Sequence, residues 1–209
     1  MRIFRVWPAL FSLILGVLFE PVAHAALVTV NFTGTVIEST GQPGVFLGDA
    51  LVGSYSYDPT VVNVGTASSS LYPQPANAHI EISVGTLSLS APLTSVSLEN
   101  ENFQGYNRYL ASYDESFGSN GEIQLSVYLY TPNPTAPIST TLTPTPPDFN
   151  SFTDAYIDYV VYDDVPDVTT FVRADITSLA AVPEPQTLLM FGLAAAACIV
   201  ARRRSLGDT

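Results

Sequence analysis

Lysine is absent from this 209-residue chain, and arginine is scarce and unevenly placed. Arg2, Arg5 and Arg202, Arg203 and Arg204 lie near the two ends, leaving only Arg108 and Arg173 for everything between. Sixteen acids fall in residues 26–182 against those two arginines, a formal charge of −14 for that stretch. A phosphate backbone needs cations, so nucleic acid is excluded as a partner. An anionic lipid surface is disfavoured on the same ground. Cysteine is nearly missing too. Cys198 is alone and sits in an apolar segment, so residues 26–182 have neither disulfides nor thiol chemistry. Histidine is limited to His24 and His79, which leaves too few ligands for an ordinary zinc site. A Ser-His-Asp triad would have to use His79, which opens the polar face of a strand, and no Gly-x-Ser-x-Gly elbow accompanies it. Amphipathic helix periodicity is absent from residues 26–182 as well. What remains must be held together by an apolar core.

The residues that are present are strand formers. Val, Ile, Leu, Thr, Ser, Tyr and Phe dominate, and they alternate with a period of two. Ile123, Leu125, Val127 and Leu129 alternate with Glu122, Gln124, Ser126 and Tyr128. The same pattern recurs around Val28–Val36, Leu51–Tyr57, Ile80–Val84, Leu87–Leu89, Val96–Leu98, Tyr106–Tyr113, Ile157–Val161 and Val172–Ile176. Turn signals separate them, including Gly41-Gln42-Pro43-Gly44, Asp58-Pro59 and Asp163-Asp164-Val165-Pro166-Asp167. About nine short strands, each with one polar face, predict an all-β domain over residues 26–181, an antiparallel β-sandwich of jelly-roll-like form. A closed barrel is the alternative. Thr131 to Pro147 holds six of the sixteen prolines and cannot be an internal strand. It reads as a long surface loop acting as an inert spacer.

Both ends carry sorting information. Arg2 and Arg5 precede an apolar stretch from Val6 to Leu18, and Ala23-His24-Ala25 forms a small-x-small site. Residues 1–25 therefore read as a signal peptide, cut so that the mature chain begins at Ala26. At the other end, Val182-Pro183-Glu184-Pro185 is followed by an uncharged run over residues 186–201, then Arg202, Arg203 and Arg204, then a short tail over 205–209. The run predicts one transmembrane helix, short for a hydrocarbon core of about 30 Å and helped by snorkelling arginines. The arginines read as a cytoplasmic stop, placing the β domain outside.

These three parts in this order resemble the PEP-CTERM sorting domain of Gram-negative bacteria. The resemblance covers residues 182–204. It implies a protein exported across the inner membrane as a membrane-anchored precursor, with signal peptidase and an exosortase as processing partners. Pro183, Glu184 and Pro185 would be the recognition element. Prolines flanking the glutamate stop the helix from extending outward and leave an extended, cleavable segment above the bilayer. The family is associated with exopolysaccharide-producing, biofilm-forming bacteria. Val30–Val36, Gly53–Asp58 and Ala174–Leu179 are also similar to segments of β-rich ectodomains that carry this signal.

Two sets of residues in the exported part are candidates for chemistry. Asp163, Asp164 and Asp167 could supply several of the six to eight oxygens that calcium takes, though not in EF-hand spacing, and a solvated acidic turn is the plainer reading. Calcium is the one cofactor the composition leaves open. All 11 tyrosines lie in residues 26–182, and Tyr128, Tyr130, Tyr156 and Tyr162 fall on the polar faces of their strands, where they could stack on sugar rings. Tyrosine is also simply a good strand residue. Paired acids such as Glu99 with Glu101 or Asp114 with Glu115 keep glycosidase chemistry in view, but nothing places two of them across a cleft. The expectation is a non-enzymatic surface or matrix protein with exopolysaccharide as candidate ligand. A structural or adhesive protein without a glycan ligand is the alternative, and a secreted hydrolase is third.

Overall fold

The computed structural model describes residues 27–100, 105–116, 121–132, 138–163 and 168–182. Alanines 23, 25 and 26, Asp164, Asp167, the Pro-Glu-Pro motif, the expected membrane helix and the arginine cluster all lie outside the described residues.

Among the described residues, ten strands form the domain: β1 (Val28–Thr40), β2 (Ala50–Tyr57), β3 (Ser69–Pro73), β4 (His79–Val84), β5 (Leu87–Pro92), β6 (Ser95–Glu99), β7 (Tyr106–Ser116), β8 (Gly121–Pro132), β9 (Asp154–Asp163) and β10 (Val168–Val182). All pairings are antiparallel. The all-β, antiparallel expectation therefore holds. The difference lies in connectivity. The two layers expected of a sandwich are halves of one continuous sheet, ordered β3-β6-β7-β8-β9-β10-β1-β2-β4-β5, curled into a half-barrel. The two wings face each other: Tyr55 on β2 and Tyr109 on β7 bring their ring centroids to 6.3 Å, although four strands separate them in the sheet.

The bend has a local cause. The β1–β10 register shifts between Thr33 and Gly34 and again between Val36 and Glu38. Extra residues on one strand bend and twist a sheet. Gly34 sits at the first shift, where the Asp175 carbonyl of β10 comes so close that a Cβ would lie 2.5 Å from its oxygen. Inside the curl, alternate residues of each strand build the core: Val28, Val30, Phe32 and Val36 from β1, Leu51, Tyr55 and Tyr57 from β2, Ile80, Ile82 and Val84 from β4, and Leu125, Val127 and Leu129 from β8. Gly53 lets the Phe32 ring lie directly across β2.

The Pro/Thr-rich segment is a strap, not a spacer. Residues 138–152 cross the mouth of the curl and bury Leu142 to 6 % exposure. The Tyr57 hydroxyl donates to the Thr143 carbonyl (2.9 Å), and the Tyr72 hydroxyl donates to the Thr140 carbonyl (2.7 Å) while accepting the Leu142 N–H (3.3 Å). A short 3₁₀ turn, Phe149–Ser151, capped by Asp148, closes the strap. Leu142→Ala is expected to cost about 2–3 kcal/mol of stability, as for a buried leucine truncation, measured by urea unfolding. A change below about 0.5 kcal/mol would mean the strap is not docked.

Candidate functional site: an aromatic groove on the outer face

Four strands present a continuous outer face. Period-two geometry places Tyr106, Arg108 and Leu110 of β7 there, with Ser126, Tyr128 and Tyr130 of β8, Asp154, Tyr156 and Asp158 of β9, and Phe171, Arg173 and Asp175 of β10. Register then decides which side chains meet. Tyr128 lies opposite Tyr156, Asp158 opposite Arg173, and Tyr156 opposite Asp175.

Both described cations stand on this face, and both are engaged. Arg173 donates from Nε and Nη2 to the two carboxylate oxygens of Asp158, each at 2.7 Å. Its guanidinium also lies 4.6 Å from the Tyr156 ring centroid and 5.3 Å from that of Phe171. The Asp158 hydrogen bonds hold the guanidinium even more firmly protonated than usual. Arg108 donates to Glu99 at 2.6 Å and lies 5.5 Å from the Tyr106 ring.

The tyrosines do not form a single open row. Tyr128 stacks on Tyr156 with centroids 4.9 Å apart and planes 21° apart, and Arg173 also packs on the Tyr156 ring. Tyr156 is thus held between a tyrosine and an arginine, a cross-strand ladder that stabilises the sheet. Burial raises the ionisation point of both Tyr128 and Tyr156, so both remain neutral hydroxyls. Tyr130 leans on Tyr106 at 5.2 Å and 53°. Tyr162 is remote, six residues beyond Tyr156 on the same strand, about 20 Å at 3.3 Å per residue. It sits beside Glu122, Gln124 and Val160 and is 42 % exposed.

Between β8, β9 and β10 the face opens into a groove of about 530 Å³, bounded by Tyr130, Asp154, Tyr156, Arg173, Asp175 and Ile37. Rings, carboxylates and a guanidinium together can pack against an apolar ring face while exchanging hydrogen bonds with its polar edge. Asp154, Asp175 and Arg173 were not among the sequence-derived candidates. The signal that could have found Arg173 was its rarity, since it is one of two cations in residues 26–182.

The calcium candidates are not assembled within the described residues. Asp163 ends β9, paired in register with Gly121 and Val168. Among the described residues no group of three or more His, Cys, Asp or Glu side chains converges. His79 accepts or donates at Nδ1 with the Ser56 hydroxyl (2.7 Å), but Ser56 is only 1 % exposed, which leaves no accessible nucleophile there.

Comparison with known proteins adds one finding. A family model described as the PEP-CTERM protein-sorting motif matches residues 181–204, overlapping the last two residues of β10. No curated protein and no solved structure matches the chain.

Proposed function

We propose, from the PEP-CTERM sorting motif that the chain carries, that this is an exported protein of the cell surface or extracellular matrix, delivered there by exosortase processing of a membrane-anchored Gram-negative precursor. In this reading signal peptidase removes residues 1–25, the helix over 186–201 holds the precursor, and the half-barrel binds exopolysaccharide without catalysing its turnover. The observation that carries the binding role is the outer groove, where Tyr130 and Tyr156 stand beside Asp154, Asp175 and Arg173. Carboxylate oxygens accept hydroxyl protons and a guanidinium donates to ring oxygens, which is the pattern a sugar edge offers.

The test is binding of the processed protein to the producing organism's own exopolysaccharide, with and without calcium. Tyr156 belongs to the stabilising ladder, so Tyr130→Ala is the more informative substitution. Losing one aromatic contact of about 1.5–3 kcal/mol corresponds to roughly 10–100-fold weaker binding. Saturable binding that survives Tyr130→Ala and Asp175→Asn unchanged would remove the groove from the reading. Dependence on calcium would point to the Asp163–Asp167 turn. Glycan turnover abolished by Asp154→Asn or Asp175→Asn would replace binding with hydrolysis.

A second reading is a structural or adhesive protein without a glycan ligand. It is favoured by β5, which among the described residues is an edge strand paired with β4 alone and carries no charge along Leu87–Pro92. Such edges can pair with another copy of the chain. Self-association without glycan dependence would support that reading.

A further inference from the structure

Among the described residues the sheet ends in two edge strands, β3 and β5, and the chain covers only one of them. On β3 the outward backbone groups belong to Ser69 and Leu71, and the loop before the strand satisfies each of them. Thr66 Oγ1 accepts from the Ser69 N–H (3.0 Å), and the Thr66 N–H donates to the Ser69 carbonyl (2.8 Å). Asn63 Oδ1 accepts from the Leu71 N–H (3.0 Å), and the Val64 N–H donates to the Leu71 carbonyl (2.9 Å). That edge is closed to another strand.

β5 has no such cover. Val84 pairs with Leu87 across the tight turn at Gly85 and Thr86, so Leu87, Leu89 and Ala91 aim their backbone groups at β4. The Leu93 N–H, donating to the Ala78 carbonyl (3.0 Å), continues the same phase. Ser88 and Ser90 therefore aim their N–H and C=O groups away from β4, and among the described residues nothing pairs with them. The flanks are shut: Pro92 has no N–H, and the Thr86 N–H already donates to the Gly44 carbonyl (3.1 Å). Leu87 and Leu89 carry the core out to this edge, where they are only partly buried.

Charge and register both select a second copy of the chain as the occupant. Residues 26–182 carry a formal charge of −14, yet β5 carries none, so two copies can meet here without opposing carboxylates. In an antiparallel pair centred on Leu89, Ser88 lies opposite Ser90 of the second copy, and each such pair exchanges both of its N–H···O bonds. Any other centre sets a serine against Pro92 or Thr86 and leaves its carbonyl without a donor. The same register places Leu89 against Leu89 and Leu87 against Ala91, which covers the apolar rim on the inner face.

We infer that β5 is a self-association edge, along which two copies pair antiparallel about a two-fold axis at Leu89 and join their sheets into one. This deepens the second reading above, on which it rests, by naming the partner and the register. Six residues a side fall short of the roughly 20–30 of a stable interface, so the dimer is expected to be weak and to form where the protein is concentrated.

The test is sedimentation equilibrium of the processed protein from about 10 μM to about 1 mM, the range of weak association, with hydrogen exchange read at the Ser88 and Ser90 amides. A monomer–dimer equilibrium is expected, with both amides slowing as the dimer forms. Both serine side chains are exposed, so substitutions there leave the core alone, and urea midpoints near the parent's would show the variants folded. Ser88→Glu with Ser90→Glu sets carboxylates opposite each other and should weaken the dimer by roughly tenfold. Ser88→Lys with Ser90→Glu sets opposite charges across the same positions and should hold it at least as tightly as the parent. A monomer at the highest concentration would overturn the inference. So would two charge variants that dimerise alike, or a dimer in which Ser88 and Ser90 exchange as fast as in the monomer. Protein-coated beads separate the inference from the reading beneath it. Clumping without a dimer in solution keeps the adhesive reading and overturns the edge, whereas a dimer without clumping keeps the edge and overturns the adhesive reading.

Discussion

Above pH 10 the domain is expected to lose stability at roughly 3–4 kcal/mol per pH unit, and to be largely unfolded near pH 12. The cause is three tyrosines packed inside the curl. Tyr55, Tyr57 and Tyr109 are each at most 1 % exposed. Burial, which penalises the charged phenolate, raises the ionisation point of all three well above the ordinary value near 10. The sign follows from proton counting. Below pH 10 the phenols are protonated in both folded and unfolded chains, so they contribute no pH dependence. Between pH 10 and the raised folded values, the unfolded chain releases its protons while the folded chain keeps them. The unfolded state then binds fewer protons, so stability falls as pH rises, by about 1.4 kcal/mol per pH unit for each such group. Urea unfolding at pH 9, 10 and 11, with tyrosinate absorbance followed in parallel, measures the slope. Tyr55→Phe should lower it by about one third. Stability that stays constant to pH 11.5 would mean these phenols are not buried as described.

The second large effect is expected from a single methyl group. Gly34→Ala places a Cβ 2.5 Å from the Asp175 carbonyl oxygen and 3.2 Å from its carbon. Both belong to backbone in the middle of the sheet, where no side chain can swing aside. β10 would have to move away from β1 at the point where the register shifts and the sheet turns. Overpacking of this kind costs about 1–3 kcal/mol, and the backbone obstacle puts Gly34→Ala at the upper end. For a domain of this size the melting temperature should fall by roughly 5–10 °C. Asp175 borders the groove, so the glycan binding proposed for that groove should weaken in the same variant. A calorimetric melting temperature within 1 °C of the parent would show that the corner does not depend on this close approach.

Period-two alternation made most of this architecture legible. It located nine of the ten strands and placed Tyr128, Tyr130 and Tyr156 on outward faces. It missed β3 because that strand inverts the usual chemistry. Ser70 and Tyr72 point inward and are buried, Leu71 points outward at 39 % exposure, and Pro73 ends the strand. Alternation also says nothing about partners. Whether two layers are separate sheets or one curled sheet depends on pairing across the chain, here β10 with β1, and on a glycine approach that only the packed backbone displays. The strap escaped notice because its docking groups are backbone carbonyls meeting tyrosine hydroxyls, with Leu142 as its one buried apolar anchor. The groove was half visible. The tyrosines were readable as outward-facing, but register alone sets Tyr128 against Tyr156 and brings Asp158 under Arg173.

The position of β10 has a mechanical meaning. This fifteen-residue strand lies in the interior of the sheet, paired to β1 on one side and β9 on the other, and its last two residues, Ala181 and Val182, open the matched sorting motif. A pull on Val182 along the strand loads both rows of pairings in shear, so many rungs must give way together, whereas a pull across an edge strand would open them one by one. Arg173 and Asp175 of the groove ride on the same strand, Asp175 about 23 Å from Val182 at 3.3 Å per residue. If the groove holds a polymer as proposed, drag on it would reach Val182 along one continuous strand that is paired on both sides, without crossing a loop.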